Sequence, residues 1–216
     1  MSAREWSTVW AAVHEERRAL SADLADVPAE RWSEPSLCPG WDVHDVVAHL
    51  IDSAKTTRIG FVRRLIAARF DFDRDNAIGV ARERRATTTE TLAAFDRIIP
   101  ETKTPPASSA TRLVEAVVHG EDIRRPLGIP RSTPIDHVLP ALQYQLRTSA
   151  AMGGGRERAR GLHLIATDAD VALRPGSGSG SDPEVRGTAL ALLLVDPGRP
   201  VGPDELAGPG VATLTA

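Results

Sequence analysis

Two side chains that can bind a metal ion lie four positions apart in the segment EAVVHGED, residues 115–122. Glu115 offers a carboxylate and His119 an imidazole, and side chains at this spacing lie on one face of an α-helix, about 40° apart. Zinc accepts carboxylate oxygen and neutral imidazole nitrogen together. The spacing therefore predicts two ligands of a metal site, and a third ligand must come from another element.

His49 is the obvious candidate for the third ligand. It belongs to a helical pattern that begins at Val43, and it lies at the flank of the apolar stripe of that helix, beside Val46 and Ser53. A residue at the flank of a stripe can face either the core or the solvent. The pattern alone does not choose between the two.

Whether Glu115 and His119 face the protein interior or the solvent is also open. Apolar and small residues cover well over half of the helix predicted for 109–125, so that Glu115, His119 and Asp122 form a narrow polar stripe. Such a stripe faces either a cleft or a thin band of solvent. Because the spacing E-x-x-x-H is short and matches many unrelated sequences, a solvent-facing stripe is the alternative interpretation.

Composition excludes several classes of protein. The 216 residues include 42% hydrophobic and 25% charged side chains, which is ordinary for a globular protein of one or two domains. A net charge of −3 gives no basic excess for a phosphate backbone, so we expect no nucleic acid partner. The longest apolar runs are far shorter than the roughly 20 residues of a membrane span, and we expect no membrane association. Charges in the first ten residues argue against a signal peptide and predict a cytoplasmic protein.

Cys38 is the only cysteine, which excludes an intrachain disulfide and a zinc site built from several thiolates. It precedes a predicted helix N-terminus, a location that can lower the pKa of a thiol. A cysteine that packs as a small hydrophobic residue is the simpler interpretation. A metal site in this chain must therefore rely on histidine and carboxylate ligands.

Helical spacing of apolar residues dominates the chain before residue 153, and segments rich in proline and glycine separate the helices. Asp42 is placed to cap the second helix. The predicted helices cover 3–25, 43–70, 77–99, 109–125 and, with an interruption at Pro140, 133–152.

The pattern changes after the glycine run at 153–155. The segments LHLIAT, DVALRP and VATLT alternate like short strands, GTALALLLV is typical of a helix, and GSGSGSD is typical of a flexible loop. We therefore predict an α + α/β architecture. A helical bundle over 1–152 would carry the metal site, and a small α/β domain would cover 156–216.

Two stretches of the helical part resemble one family. LCPGWDVHDVVAHL, residues 37–50, and RLVEAVVHGEDIRRPLG, residues 112–128, are similar to the mycothiol-dependent maleylpyruvate isomerase family of the DinB-like superfamily. The C-terminal segments GLHLIATDADVAL, DPEVRGTALALLLVDPGR and DELAGPGVATL resemble the small C-terminal domain of that family. The resemblance covers most of the chain.

This resemblance implies a DinB-like four-helix bundle that binds a divalent metal, usually zinc. The family's ligands, carried over residue by residue, fall on His49, Glu115 and His119. The resemblance also implies mycothiol as the thiol cosubstrate. No residue of this chain could be matched to a contact with maleylpyruvate.

Three protein ligands leave one position of a tetrahedral zinc ion open, and zinc deprotonates a thiol that coordinates there. We expect an isomerase or an S-transferase that acts on a small electrophile. The alternatives are a metal-dependent hydrolase and a non-catalytic module for metal binding or interaction. Zinc, nickel and iron all remain open, as does the oligomeric state, a homodimer included.

Four further residues have candidate roles. Asp52 and Asp122 could orient the ligand imidazoles by accepting their second N–H. Arg124 and Arg125 could hold a substrate carboxylate, but cations at a helix C-terminus are favourable in any case, and we favour that explanation for at least one of them.

Overall fold

The computed structural model describes residues 3–176 and 180–215, with side chains from residue 6 onward. The middle of the predicted GSGSGSD loop, residues 177–179, lies outside the described residues. The chain divides into two compact units, Met1–Arg131 and Ser132–Ala216. This division falls earlier in the chain than the glycine run at which we placed the domain boundary, because the helix after residue 134 packs within the C-terminal unit.

The N-terminal unit is helical. A short 3₁₀ helix, Ala29–Ser33, follows its first helix. The helices are α1 (Ala3–Ala25), α2 (Val43–Lys55), α3 (Arg58–Ala67), α4 (Phe72–Glu83), α5 (Thr88–Ile98) and α6 (Ala110–Leu127).

Four of these helices, α1, α2, α5 and α6, pack against one another and form the predicted four-helix bundle. The core consists of aliphatic side chains around Trp32 and Phe95, both of which are buried. Burial of this apolar surface is the main source of bundle stability, at about 25 cal/mol for each Å² removed from water. α4 packs on the outside of α2, and α3 contacts α4.

The start of α2 is determined by local chemistry. The Asp42 side chain accepts a hydrogen bond from the backbone N–H of Asp45, and the Asp45 side chain accepts one from the Asp42 N–H, which together form a capping box. Arg84 donates to both carboxylates. The cap predicted from the sequence is confirmed.

Two predicted helices are each divided in the structure. The pattern over 43–70 is broken at Thr57, whose side chain accepts from the Gly60 N–H and caps α3. The pattern over 77–99 is broken at Thr87, which caps α5 through a capping box with Glu90. Apolar periodicity continues across both breaks, and the capping side chains rather than the periodicity decide where a new helix begins.

Among the described residues, none of the helices combines the length and the hydropathy that a membrane span requires.

The C-terminal unit combines helices with one mixed sheet. The strand order is β2-β1-β3-β4, with β1 parallel to β3 and the two edge strands antiparallel to their neighbours. The helix α8 packs against α7, β1 and β3. The elements are α7 (Ile135–Gln145), β1 (His163–Ala166), β2 (Val171–Leu173), β3 (Glu184–Gly187), α8 (Ala189–Val195), β4 (Leu206–Ala207) and α9 (Val211–Leu214).

The predicted strands in LHLIAT and DVALRP are confirmed as β1 and β2, and the helix in GTALALLLV is α8. The strand predicted for VATLT is wrong, because those residues form α9. Alternation over only five residues cannot distinguish the two-residue period of a strand from the 3.6-residue period of a helix. The edge of the sheet is occupied instead by Leu206–Ala207, too short a segment to show a pattern.

A buried carboxylate lies at the end of α8. Asp196 is fully buried, and neither of its carboxylate oxygens has a hydrogen-bond partner among the described residues. The carboxylate packs so closely on Gly155 that a Cβ built there would be 1.9 Å from Oδ1. Burial raises the pKa of Asp196 to about 7, which the guanidinium of Arg158 only partly opposes. The protonated form is thus favoured in the folded protein.

We predict that the contribution of Asp196 to the free energy of unfolding decreases as the pH rises from about 4 to 7. The folded-state pKa lies above the ordinary value of 3.8, so the unfolded chain loses its proton first, and stability present below pH 3.8 is lost through pH 7. The expected loss is about 4 kcal/mol at full ionisation. Urea unfolding of the wild type and of Asp196→Asn across this range measures it.

The Asp196→Asn variant should lack this contribution, because its side chain does not titrate, and the difference in unfolding free energy between the two proteins should therefore change across that window. Asp170→Asn, at an exposed position of the same unit, is the matched control and should keep the wild-type curve. Parallel curves for the wild type and Asp196→Asn would contradict the prediction.

Candidate metal centre

The loop before α2 is attached to α6. The backbone N–H of Leu37 donates to the carbonyl of Asp122 at 3.1 Å. The chain then turns at Gly40, whose φ of +79° is accessible mainly to glycine. The turn is closed by the Trp41 N–H, which donates to the Cys38 carbonyl at 3.1 Å. These bonds hold the LCPGW segment against the polar stripe of α6.

His49 on α2 lies beside His119 on α6. The two ring centroids are 5.0 Å apart at an interplanar angle of 79°, and the Trp41 ring lies 5.0 Å from His49 on another side. Nδ1 of His49 is buried and has no hydrogen-bond partner among the described residues. Buried polar atoms are rarely left unpaired, so this nitrogen marks a place where a ligand or water is expected.

Glu115 lies one helical turn before His119, and its carboxylate reaches α2. Ser53 Oγ donates to Glu115 Oε2 at 2.7 Å, and Arg112 Nη1 donates to the same oxygen at 2.5 Å. Arg112 also donates to Ser53 and to the Lys103 carbonyl, and its side chain is only 2% exposed. Oε1 of Glu115 accepts no hydrogen bond from the described residues.

His119 is oriented by Asp122. The contact joins Nδ1 of His119 and Oδ2 of Asp122 at 2.8 Å, and the Asp122 side chain is completely buried. A carboxylate at Nδ1 stabilises the tautomer with the proton on that nitrogen and leaves Nε2 as the donor for a metal. The orienting role considered for Asp122 therefore has the required geometry.

The polar stripe of α6 is recessed. The side chain of Glu115 is 27% exposed and that of His119 is 14% exposed, compared with none for Asp122. A stripe that faced open solvent would show larger values at all three positions. The ambiguity of the helical pattern is thus resolved in favour of a recessed site.

Among the residues that the structure describes, one group of three metal-binding side chains has its ligand atoms within 4.8 Å of one another. It consists of Cys38, His119 and Asp122. The ligand atoms of the predicted set, His49, Glu115 and His119, do not all lie within 4.8 Å of one another. The carboxylate of Glu115 is turned toward Arg112. The two sets share His119, so Cys38 is a competing donor that the structure adds to the site.

The ionisation states suit metal binding. Burial, together with the neighbouring His119, lowers the pKa of His49 to about 4, which makes its imidazole neutral at pH 7. Burial raises the pKa of Glu115, but the charges of Arg112 and His49 and the hydrogen bond from Ser53 outweigh this effect and lower it to about 2. Neutral imidazole and ionised carboxylate are the forms that bind zinc.

Asp52 does not orient a ligand imidazole. It is buried on the side of α2 that faces α3 and α4, where its carboxylate pairs with Arg64 at 2.7 Å and with Arg82. The suggestion that Asp52 orients His49 is therefore wrong. A buried carboxylate with two guanidinium partners is a structural ion pair.

Arg124 and Arg125 are also committed to ion pairs. Arg124, with a side chain 1% exposed, donates to Asp23 at 2.6 Å, and Arg125 donates to Glu121 at 3.1 Å. Neither is available to a substrate carboxylate in this arrangement. Both lie in the last turn of α6, where a positive charge is favourable next to the helix C-terminus.

Sequence reasoning missed Ser53 and Arg112 as parts of the site. Both could have been found from helical spacing, since Ser53 lies four residues after His49 and Arg112 three residues before Glu115. No spacing rule could have found Cys38 beside His119, because a loop hydrogen bond brings the two together.

Comparison with known sequences gives two relatives, both uncharacterized proteins of Mycobacterium tuberculosis, one from strain CDC 1551 and one from strain H37Rv. Each is 30% identical over 163 residues, covering 62% of this chain. The match spans only 58% of the length of each relative.

Comparison with solved structures gives the mycothiol-dependent maleylpyruvate isomerase, with a TM-score of 0.59 and 18% identity. A histidine-to-alanine mutant of that protein matches with a TM-score of 0.60 and 17% identity. Each comparison covers 94% of this chain and 92% of the other. At this level of identity the likeness concerns the fold, and it confirms the predicted architecture.

A comparison with protein-family models identifies a known domain in the N-terminal part of the chain. Residues 13–108 match the family model described as the mycothiol maleylpyruvate isomerase N-terminal domain. This segment contains His49 and ends before Glu115 and His119. The predicted resemblance is confirmed: residues 13–108 match the mycothiol maleylpyruvate isomerase N-terminal domain, and the chain has the fold of the mycothiol-dependent maleylpyruvate isomerase.

Proposed function

We propose that this protein is a divalent-metal enzyme, with zinc as the metal, that uses mycothiol as a thiol cosubstrate. It would act as an isomerase or an S-transferase on a small electrophile similar to maleylpyruvate. The observation that carries the proposal is the contact of His49 with His119, two imidazoles from different helices at 5.0 Å beside an ionised Glu115. The family of residues 13–108 supports the choice of thiol.

The donor atoms of this site fit a zinc ion. Nε2 of His119, Oε1 of Glu115 and the ring nitrogens of His49 make no hydrogen bonds with the described residues. Two neutral imidazoles and one carboxylate form a ligand set found in catalytic zinc sites, and they leave one position for an exchangeable ligand. The ligand atoms must move closer together than they are now to hold one ion.

Arg112 can remain in place when a metal binds. Its guanidinium and the Ser53 hydroxyl both use Oε2 of Glu115, while Oε1 is left for the ion. A ligating carboxylate is commonly held by such outer hydrogen bonds, which determine its orientation. The buried Arg112 is thus proposed to position Glu115 and not to contact substrate.

Zinc bound here would supply a Lewis acid that keeps a small thiol in its thiolate form, the nucleophile that both isomerisation and S-transfer require. Asp122 would hold the proton at Nδ1 of His119 and keep Nε2 directed at the ion. Trp41 covers His49 and would limit the access of water to that side of the site. A cytoplasmic location, where small thiols stay reduced, belongs to the same proposal.

We predict that protein purified without a histidine tag contains about one zinc per chain, and that His119→Ala lowers this below about 0.1 without unfolding the protein. Glu115→Gln should also lose zinc, because the amide has no charge to offer. Glu121→Gln is the matched control, since Glu121 lies on the same helix and pairs with Arg125. Elemental analysis together with circular dichroism measures these outcomes.

Cys38→Ser distinguishes the two possible ligand sets. Under the proposal it keeps its zinc, whereas retention of zinc by Glu115→Gln and its loss by Cys38→Ser would assign the metal to Cys38, His119 and Asp122. Absence of stoichiometric metal from the wild type would overturn the proposed enzyme altogether. Unfolding of His119→Ala would indicate a structural metal.

We predict that mycothiol raises the melting temperature of the zinc-loaded protein more than other thiols do. A ligand present at about 100 times its dissociation constant stabilises the folded state by about 2.7 kcal/mol, a shift of several degrees for a unit of this size. Thermal shift assays with mycothiol, glutathione and cysteine measure the preference. His119→Ala should show no shift, and an equal response to all thiols would favour hydrolysis over thiol chemistry.

A further inference from the structure

The helix α3 carries an unusual amount of exposed apolar surface. No residue of Arg58–Ala67 is buried. Eight large hydrophobic side chains are exposed in the described chain, and four of them lie within residues 59–70. These four are Ile59 at 76% exposure, Val62 at 47%, Ile66 at 59% and Phe70 at 69%.

The exposed apolar residues of the helix share one side. At about 100° per residue, Ile59, Val62 and Ile66 fall within an arc of about 60°. The opposite side attaches α3 to the bundle. There Arg64 pairs with Asp52 at 2.7 Å and with Asp75 at 2.9 Å.

Cations border the apolar stripe. On the helical wheel Arg58 and Arg63 flank it on its two sides, and Arg69 follows the helix end. All three are exposed and make no ion pair with the described residues. The segment 57–70 contains no acidic residue, and the next carboxylates, Asp71 and Asp73, belong to the start of α4.

We propose that this surface, the α3 face (Ile59, Val62, Ile66 and Phe70 with Arg58, Arg63 and Arg69), binds the surface of an anionic lipid bilayer. A short amphipathic helix with bulky apolar residues on one side and arginines beside them is the arrangement that lies in the headgroup region, with its apolar side in the acyl boundary. The arginines then contact anionic headgroups. Such binding lies on the bilayer and does not span it. It departs from our expectation of no membrane association, which rested only on the lack of an apolar run long enough for a span.

Charge complementarity favours lipid over a second copy of the chain. A symmetric dimer would bring the same face of both copies together and place six arginines along one contact without a carboxylate from either α3. An anionic bilayer instead provides an apolar acyl region for the hydrophobic stripe and negatively charged headgroups for the arginines. Nucleic acid would use the arginines and leave the apolar stripe in water.

Flotation of the full-length protein with vesicles tests the proposal. We compare vesicles of pure phosphatidylcholine with vesicles of equal parts phosphatidylcholine and phosphatidylglycerol. Binding should require phosphatidylglycerol and decrease as salt rises from about 0.05 M to about 0.5 M, because the Debye length shortens. Each arginine that is removed should weaken binding about fivefold.

Two variants separate the two components of the α3 face. Ile66→Ser with Phe70→Ser should weaken binding at least about tenfold at any salt concentration. Arg58→Ser with Arg63→Ser should remove most of the dependence on phosphatidylglycerol and on salt. The matched controls are Ile135→Ser, an exposed isoleucine on α7, and Arg18→Ser, an exposed arginine on α1, and both should bind like the wild type.

Failure of the wild type to float with either vesicle would overturn the proposal. So would equal binding by the wild type and both α3 variants with unchanged melting temperatures. A lipid-free dimer seen by sedimentation velocity and lost in Ile66→Ser would assign the face to a second copy instead. Since zinc content and thiol binding are measured without lipid, failure here leaves the proposed function standing.

Discussion

The packing of α2 against α6 is the constraint on which the proposed metal centre depends. The two helices are held by apolar burial along most of their contact, and at one level polar groups replace the apolar ones, with Ser53 bonded to Glu115 and the His49 ring against His119. Because the interior is closely packed, these polar groups cannot move apart without opening the bundle. The proposed ligands are therefore positioned by the same contact that stabilises the fold.

Burial of charge around this contact has consequences for both stability and chemistry. Arg112 neutralises Glu115 and keeps it ionised, and Asp122 gives His119 a defined tautomer. Removal of one member of such a pair leaves an uncompensated charge in a poorly solvated place, which costs more than the pair itself contributes. The position of Cys38 adds a third kind of donor beside His119, and a loop hydrogen bond rather than helix packing holds it there.

The ion pairs of Asp52 connect α2 to α3 and so determine which side of α3 is exposed. Asp52, on the side of α2 that faces α3 and α4, binds Arg64 and so anchors α3 by its inner side. This arrangement leaves the outer side of α3 without a partner. The apolar stripe remains exposed, and the Arg64 ion pairs that attach the helix lie on its opposite side.

The sequence by itself determined local features. The Asp42 cap, the periodicity of the bundle helices and the shared face of Glu115 and His119 follow from interactions between residues a few positions apart, and so does the resemblance that pointed to His49. Only the tertiary structure decided that the α6 stripe is recessed, that Asp52 turns to Arg64 and that Cys38 approaches His119. Each of these outcomes depends on side chains brought together from distant parts of the chain, and helical periodicity gives a residue its angle on its own helix but not the neighbour that it meets.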